Sequence, residues 1–104
     1  MRKNVVRLDN SKKAKVEQLY NKNQFVIFYS DGLTAFQSYN TIICIFDNCS
    51  GKLYINWHYW DYSKTTSKHL KIFINEYTCY NYESKNQFLK FLMSDNENVI
   101  LFEE

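Results

Sequence analysis

Residues 24–39, QFVIFYSDGLTAFQSY, decide how the rest of the chain is read. Two runs rich in β-branched and aromatic side chains flank Asp31-Gly32, a dipeptide that readily supplies the tight turn of a β-hairpin. The pattern predicts a strand over Gln24 to Ser30 and its partner over Leu33 to Tyr39. Asn40 then interrupts the pattern, and TIICIFD, 41–47, is apolar on both faces, as expected of a strand covered from two sides. Asn48-Cys49-Ser50-Gly51 is a turn. In KLYINWHY, 52–59, Leu53, Ile55, Trp57 and Tyr59 alternate with Lys52, Tyr54, Asn56 and His58, the period of two that marks a strand.

After Asp61 the period lengthens to about 3.6. Leu70, Phe73, Ile74 and Tyr77 fall at i, i+3, i+4 and i+7 and predict the core stripe of a helix beginning near Ser63 to Thr66, with Lys64, Lys68 and Lys71 on another side. TCYNYE, 78–83, is a connector. Ser84-x-x-Gln87 has capping-box spacing ahead of a second helix carrying Phe88, Phe91 and Leu92, and NVILFEE, 98–104, is a terminal strand. Upstream, Ser11 offers an N-cap to SKKAKVEQLYNK, 11–22, where Val16, Leu19 and Tyr20 predict a short surface helix, and Lys3 to Leu8 predict a short edge strand. The expected architecture is one α+β domain spanning 1–104: an antiparallel β-meander of about four to five strands with two to three helices packed mainly on one face.

Composition narrows the chemistry. The 104 residues are 45% hydrophobic and 18% aromatic, enough for a folded core without a stabilising metal or disulfide. Nine Tyr and two Trp exceed what so small a core can hide, so some rings are expected at the surface, where aromatic residues favour contacts. The net charge is +2. Arg2 and Arg7 are the only arginines, so bidentate reading of guanine edges is poorly supplied while phosphate contact by lysine remains open. Cys44, Cys49 and Cys79 form no C-x-x-C pair and leave an odd thiol, which fits a reducing cytosol better than a secreted disulfide scaffold. The opening MRKNVVRLDNS lacks the apolar stretch of a signal peptide, and no segment has the apolar length of a membrane span.

The strand-to-helix junction YWDYSKTTSKH, 59–69, concentrates the candidate site. Ser63, Thr65, Thr66 and Ser67 stand where a helix start leaves N–H groups unpaired, so they can cap the helix or, with Lys64 and Lys68, receive an anion. Capping is the commoner duty of such residues. No glycine-rich loop precedes the helix, which argues against a nucleotide cradle. His58, His69, the cysteines and Asp61 show no metal-ligand or triad spacing, so no metal, cofactor or catalytic residue is expected. Tyr54, His58, Tyr59 and Trp60, with Lys64 and Lys68, are the expected partner-binding residues. The same rings, with Tyr62, could instead stack single-stranded bases.

The segments Ser38-Tyr39-Asn40-Thr41, Tyr59-Trp60 and Thr65-Thr66-Ser67-Lys68-His69, with Phe73 beyond, resemble a pattern in a group of small phage and plasmid proteins of low-GC Gram-positive bacteria. The resemblance spans the middle third of the chain. It implies an accessory protein of a mobile element, a class rich in inhibitors of host defence such as anti-CRISPR proteins, acting in the cytosol of a bacterial host. The implied partner is a host defence protein or ribonucleoprotein complex, such as a CRISPR effector, with nucleic acid as the alternative. The positive net charge departs from acidic DNA mimics and favours occlusion of a protein surface.

Overall fold

The computed structural model describes residues 8–103. A short 3-10 turn, Asn10–Lys12, leads into β1 (Lys13–Leu19), β2 (Asn21–Tyr29), β3 (Leu33–Ser38), β4 (Thr41–Asp47) and β5 (Leu53–Asn56). Two helices follow, α1 (Lys64–Tyr77) and α2 (Lys85–Leu92), and then β6 (Val99–Phe102). The strands form one sheet in the order β1-β2-β3-β4-β5-β6. The first five pair antiparallel as a meander, and β6 runs parallel to β5. The fold is α+β, as the periodicity predicts.

Two expectations are corrected. Residues 13–19 are an edge strand and not a surface helix. Pairing with β2 puts Lys15 opposite Phe28 and Glu17 opposite Val26, so the Lys15 ammonium sits over the Phe28 ring at 5.8 Å and meets Glu17 at 2.7 Å, while Leu19 is buried. Ser11 is not the expected N-cap: its N–H and hydroxyl both donate to Asp9, which caps the 3-10 turn. The terminal strand forms as expected, and a crossover through both helices returns it parallel to β5. The edge strand expected over 3–8 lies almost wholly outside the described residues.

The hairpin forms as expected. Gly32 has φ +93, so the backbone requires glycine, and a Cβ there would also lie 2.8 Å from Cys49 Sγ, an exposed side chain that would have to move aside. In β4 the register slips by one residue between the Phe36–Cys44 and Gln37–Ile42 pairs, leaving Ile43 as a bulge. Ile43 and Cys44 thereby both join the helix-side core, while Ile45 faces the other way, which explains why this segment reads as apolar throughout. Burial pushes the Cys44 thiol well above its ordinary value.

The helix-side core contains Val26, Phe36, Leu53 and Ile55 from the sheet, Leu70, Phe73 and Ile74 from α1, and Phe88 and Leu92 from α2. Phe73 stacks on Phe36 at 5.8 Å and on Tyr77 at 5.6 Å, so the predicted stripe is the buried face of α1. The opposite sheet face has a second cluster of Ile27, Tyr29, Leu33, Ala35, Ile45, Tyr54 and Phe102, against which Leu8 packs.

Meander geometry sorts the connections. The β1–β2 turn, the β3–β4 turn and the corner from β5 into α1 lie at one end of the sheet, whereas the β2–β3 and β4–β5 turns lie at the other.

Candidate functional site: the corner between β5 and α1

Asn56 ends β5. Fully buried, it donates from Nδ2 to the Ile42 carbonyl at 3.0 Å and accepts the His58 N–H on Oδ1 at 3.1 Å, while the N–H groups of Tyr59 and Trp60 donate to its carbonyl. An amide satisfied in this way turns the chain on itself, so the alternation expected through Tyr59 stops at Asn56. The turn carries Trp57 to Tyr62 around the end of the sheet.

Ser63 then starts α1. Its backbone is extended, its Oγ accepts the Thr66 N–H at 3.1 Å, and it donates to Thr66 Oγ1 at 3.2 Å. Thr66 Oγ1 also shares a 3.0 Å hydrogen bond with Ser38 Oγ, both buried, which ties the first turn of α1 to the end of β3. Ser67 bonds the Tyr82 hydroxyl at 3.1 Å. His69 is buried and its Nδ1 lies 2.7 Å from the Thr65 carbonyl; a carbonyl can only accept, so Nδ1 carries the proton. Of the four expected hydroxyls, Ser63 is the cap, Thr66 and Ser67 have internal partners, and Thr65 contributes its carbonyl to His69.

The expected partner-binding residues divide. Tyr54 is 8% exposed, facing away from the helices between its sheet neighbours Ile45 and Ile100; burial, and secondarily the charge of Asp47, raise its hydroxyl pKa. Trp60 is 3% exposed, with its ring 5.7 Å from Phe88 and 6.4 Å from Trp57. Neither ring is available as contact surface, a correction forced by packing on the second sheet face and against α2. His58, Lys64 and Lys68 are exposed and Tyr59 is half-buried, its ring 5.4 Å from that of Tyr62.

An open cleft of about 560 Å³ lies beside this corner, lined by Asp61, Tyr62, Ser63, Lys64, Ser67, Lys68 and Lys85. Lys85, from the first turn of α2, approaches Asp61 at 3.7 Å. Three ammonium groups thus face one carboxylate. Among the described residues no group of three or more His, Cys, Asp or Glu could hold a metal ion, and no helix is long and apolar enough to cross a membrane.

Sequence reasoning missed Lys85 and Tyr20. Tyr20 and Tyr39 occupy the β1–β2 and β3–β4 turns, at the same end as Tyr62, and these three rings are 74%, 54% and 72% exposed. Both turn tyrosines are left-handed, with φ 63 and 55, a conformation that disfavours bulky side chains and favours Gly or Asn. The overlooked signal lies in alternation: in a meander, every second turn shares an end.

A sheet of this topology with a ring- and lysine-lined corner defines an α+β protein with a candidate binding edge. The chain belongs to a family of unknown function, DUF8033, whose model matches residues 6–90, from the N-terminal region through most of α2. No curated protein and no solved structure matches it.

Proposed function

We propose that this protein is an accessory factor of a phage or other mobile element that inhibits a host defence complex, a protein or ribonucleoprotein such as a CRISPR effector, by occupying its surface without chemistry. The supporting observation is the end of the sheet where Tyr62, Tyr59 and His58 stand beside Lys64 and Lys68: displayed rings and cations on a scaffold whose Ser63, Thr66 and Ser67 hydroxyls are engaged internally. Tyrosine supplies contact area at small entropic cost, and lysines flanking it steer an acidic partner. The use of His69 to brace its own helix supports a non-catalytic reading of this corner. The mobile-element context rests on the resemblance of the S-Y-N-T and T-T-S-K-H segments.

The test is infection or plasmid transformation of bacteria carrying a defence system, with and without this protein. Expression should restore infection in at least one defended strain, with inhibition of the purified complex saturating near one equivalent. The Lys64→Glu/Lys68→Glu variant should lose that effect at an unchanged unfolding midpoint. Restoration in no strain across a panel of defence systems would overturn the proposal, as would destruction of excess target by catalytic amounts of protein.

A further inference from the structure

The three exposed tyrosines and the lysine stripe of α1 form one continuous feature. Neighbouring strands lie about 4.8 Å apart, so turns two strands apart are separated by about 10 Å, and the row from Tyr20 through Tyr39 to the corner at Tyr62 extends about 20 Å. Tyr20 and Tyr39 stand there despite an unfavourable backbone. The Tyr20 hydroxyl donates to Glu76 Oε2 at 3.3 Å, which gives that ring a place in the fold. The Tyr39 ring has no such hydrogen bond among the described residues, and a strained position holding a bulky, exposed ring points to use of the ring. Beside the row, Lys64, Lys68 and Lys71 recur at i, i+4 and i+7, all exposed, so they form a stripe about 10 Å long on α1. At the far end of the sheet the charges are mixed, with Asp31 and Asp47 beside Lys12, Lys13 and Lys52 in and around the turns.

We infer that this edge binds single-stranded nucleic acid, with bases stacking on Tyr39 and Tyr62 and phosphates running along Lys64, Lys68 and Lys71. A row of separate rings beside a row of point charges matches a polymer that alternates flat, apolar bases with anions. Lysine holds phosphate without the planar fork that reads guanine, so the preference is for single strands of any sequence. The inference rests on the reading of this corner as the functional surface and names its ligand: an exposed strand of a ribonucleoprotein complex.

Fluorescence anisotropy with a labelled 12-nucleotide single strand, in DNA and RNA forms, tests it. Three phosphate contacts on a single strand give a logarithmic salt slope of about −2, so affinity should fall about 20-fold between 50 and 200 mM salt. Lys64→Glu/Lys68→Glu should abolish most of this dependence, and Tyr39→Ala and Tyr62→Ala should each weaken binding about tenfold at unchanged unfolding midpoints. Lys52→Glu, at the far end, should leave binding intact. No binding at 50 mM salt overturns the inference, as does binding insensitive to both tyrosines or weakened as much at Lys52 as at Lys64 and Lys68. The infection assay separates the two readings. If Tyr62→Ala and Lys64→Glu lose inhibition while the wild-type protein ignores the oligonucleotide, the surface works on an acidic protein face and this inference alone falls. If the oligonucleotide binds as described but no defence system is inhibited, the inhibitor reading alone falls.

Discussion

Gln24 gives the sharpest test of how the core beneath this corner is built. It is fully buried in β2, paired across the sheet with Ser38, and neither its Nε2 nor its Oε1 has a hydrogen-bond partner among the described residues. A buried amide without partners costs about 1–3 kcal/mol relative to an arrangement that has none to satisfy. Gln24→Met keeps the length of the side chain while removing both polar atoms, so stability should rise by about that amount. For a domain of this size, 1 kcal/mol moves the thermal midpoint by about 4–8 °C, which makes a rise of roughly 5–15 °C readable in a single melt. Urea unfolding followed by tryptophan fluorescence should show a higher midpoint at unchanged slope, since the surface exposed on unfolding is the same. Gln24→Ala should lower the midpoint, because it exchanges the unpaired amide for a cavity. A fall of 1 kcal/mol or more in the Met variant would refute the reasoning and show that the amide is satisfied, by bound water or ligand, in solution.

Three further outcomes are expected. Phe73→Ala, which removes a fully buried ring stacked on Phe36 and Tyr77, should cost about 3–5 kcal/mol in equilibrium unfolding, and a near-neutral result would mean that α1 does not anchor the core. A double-mutant cycle of Ser38→Ala and Thr66→Val should give a coupling of about 0.5–1.5 kcal/mol, and strict additivity would deny their hydrogen bond a role. Burial raises the hydroxyl pKa of Tyr29, Tyr54, Tyr77 and Tyr80 above the ordinary 10.0, so the unfolded chain loses these protons first. Their contribution to stability is complete below pH 10 and is lost as pH rises through the folded values; an unfolding midpoint that holds steady well above pH 10 would contradict this.

What could be read from the sequence depended on whether local chemistry and tertiary pairing agreed. From Gln24 to Asp47 they agree: β-branched strands, an Asp-Gly turn and a doubly apolar run have one consistent solution, and the structure adopts it. In α1 the four-residue stripe and the Ser63 cap likewise point the same way. Residues 13–19 are the opposite case. Lys, Glu and Gln favour a helix, and Val16, Leu19 and Tyr20 imitate its spacing, yet an available edge on β2 offers a full ladder of hydrogen bonds and a buried site for Leu19. The direction of β6 was equally hidden, because it depends on how far α1 and α2 carry the chain before it returns. The burial of Tyr54 and Trp60 is not legible locally, because neither the alternation of 52–59 nor the corner beyond it shows what packs against these rings; the second cluster and α2 bury them.

The two segments that suggested a mobile-element protein acquire a physical meaning from their meeting point. Ser38 and Thr66, separated by 27 intervening residues, share a buried hydrogen bond, and Thr65 and His69 brace the same helix turn. Tyr39 and Lys68, each one or two positions along, are exposed. The motif therefore has an inner half that locks β3 to α1 and an outer half that the lock holds in place. Substitutions in the outer half should act on binding directly, whereas those in the inner half should act on it through the folded fraction and through the placement of the outer half. Loss of the Ser38–Thr66 bond should move Tyr39 and the α1 lysines relative to one another, so a variant that stays folded without it would still bind less tightly than its stability predicts. This excess loss distinguishes a lock that positions the surface from one that merely supports the core.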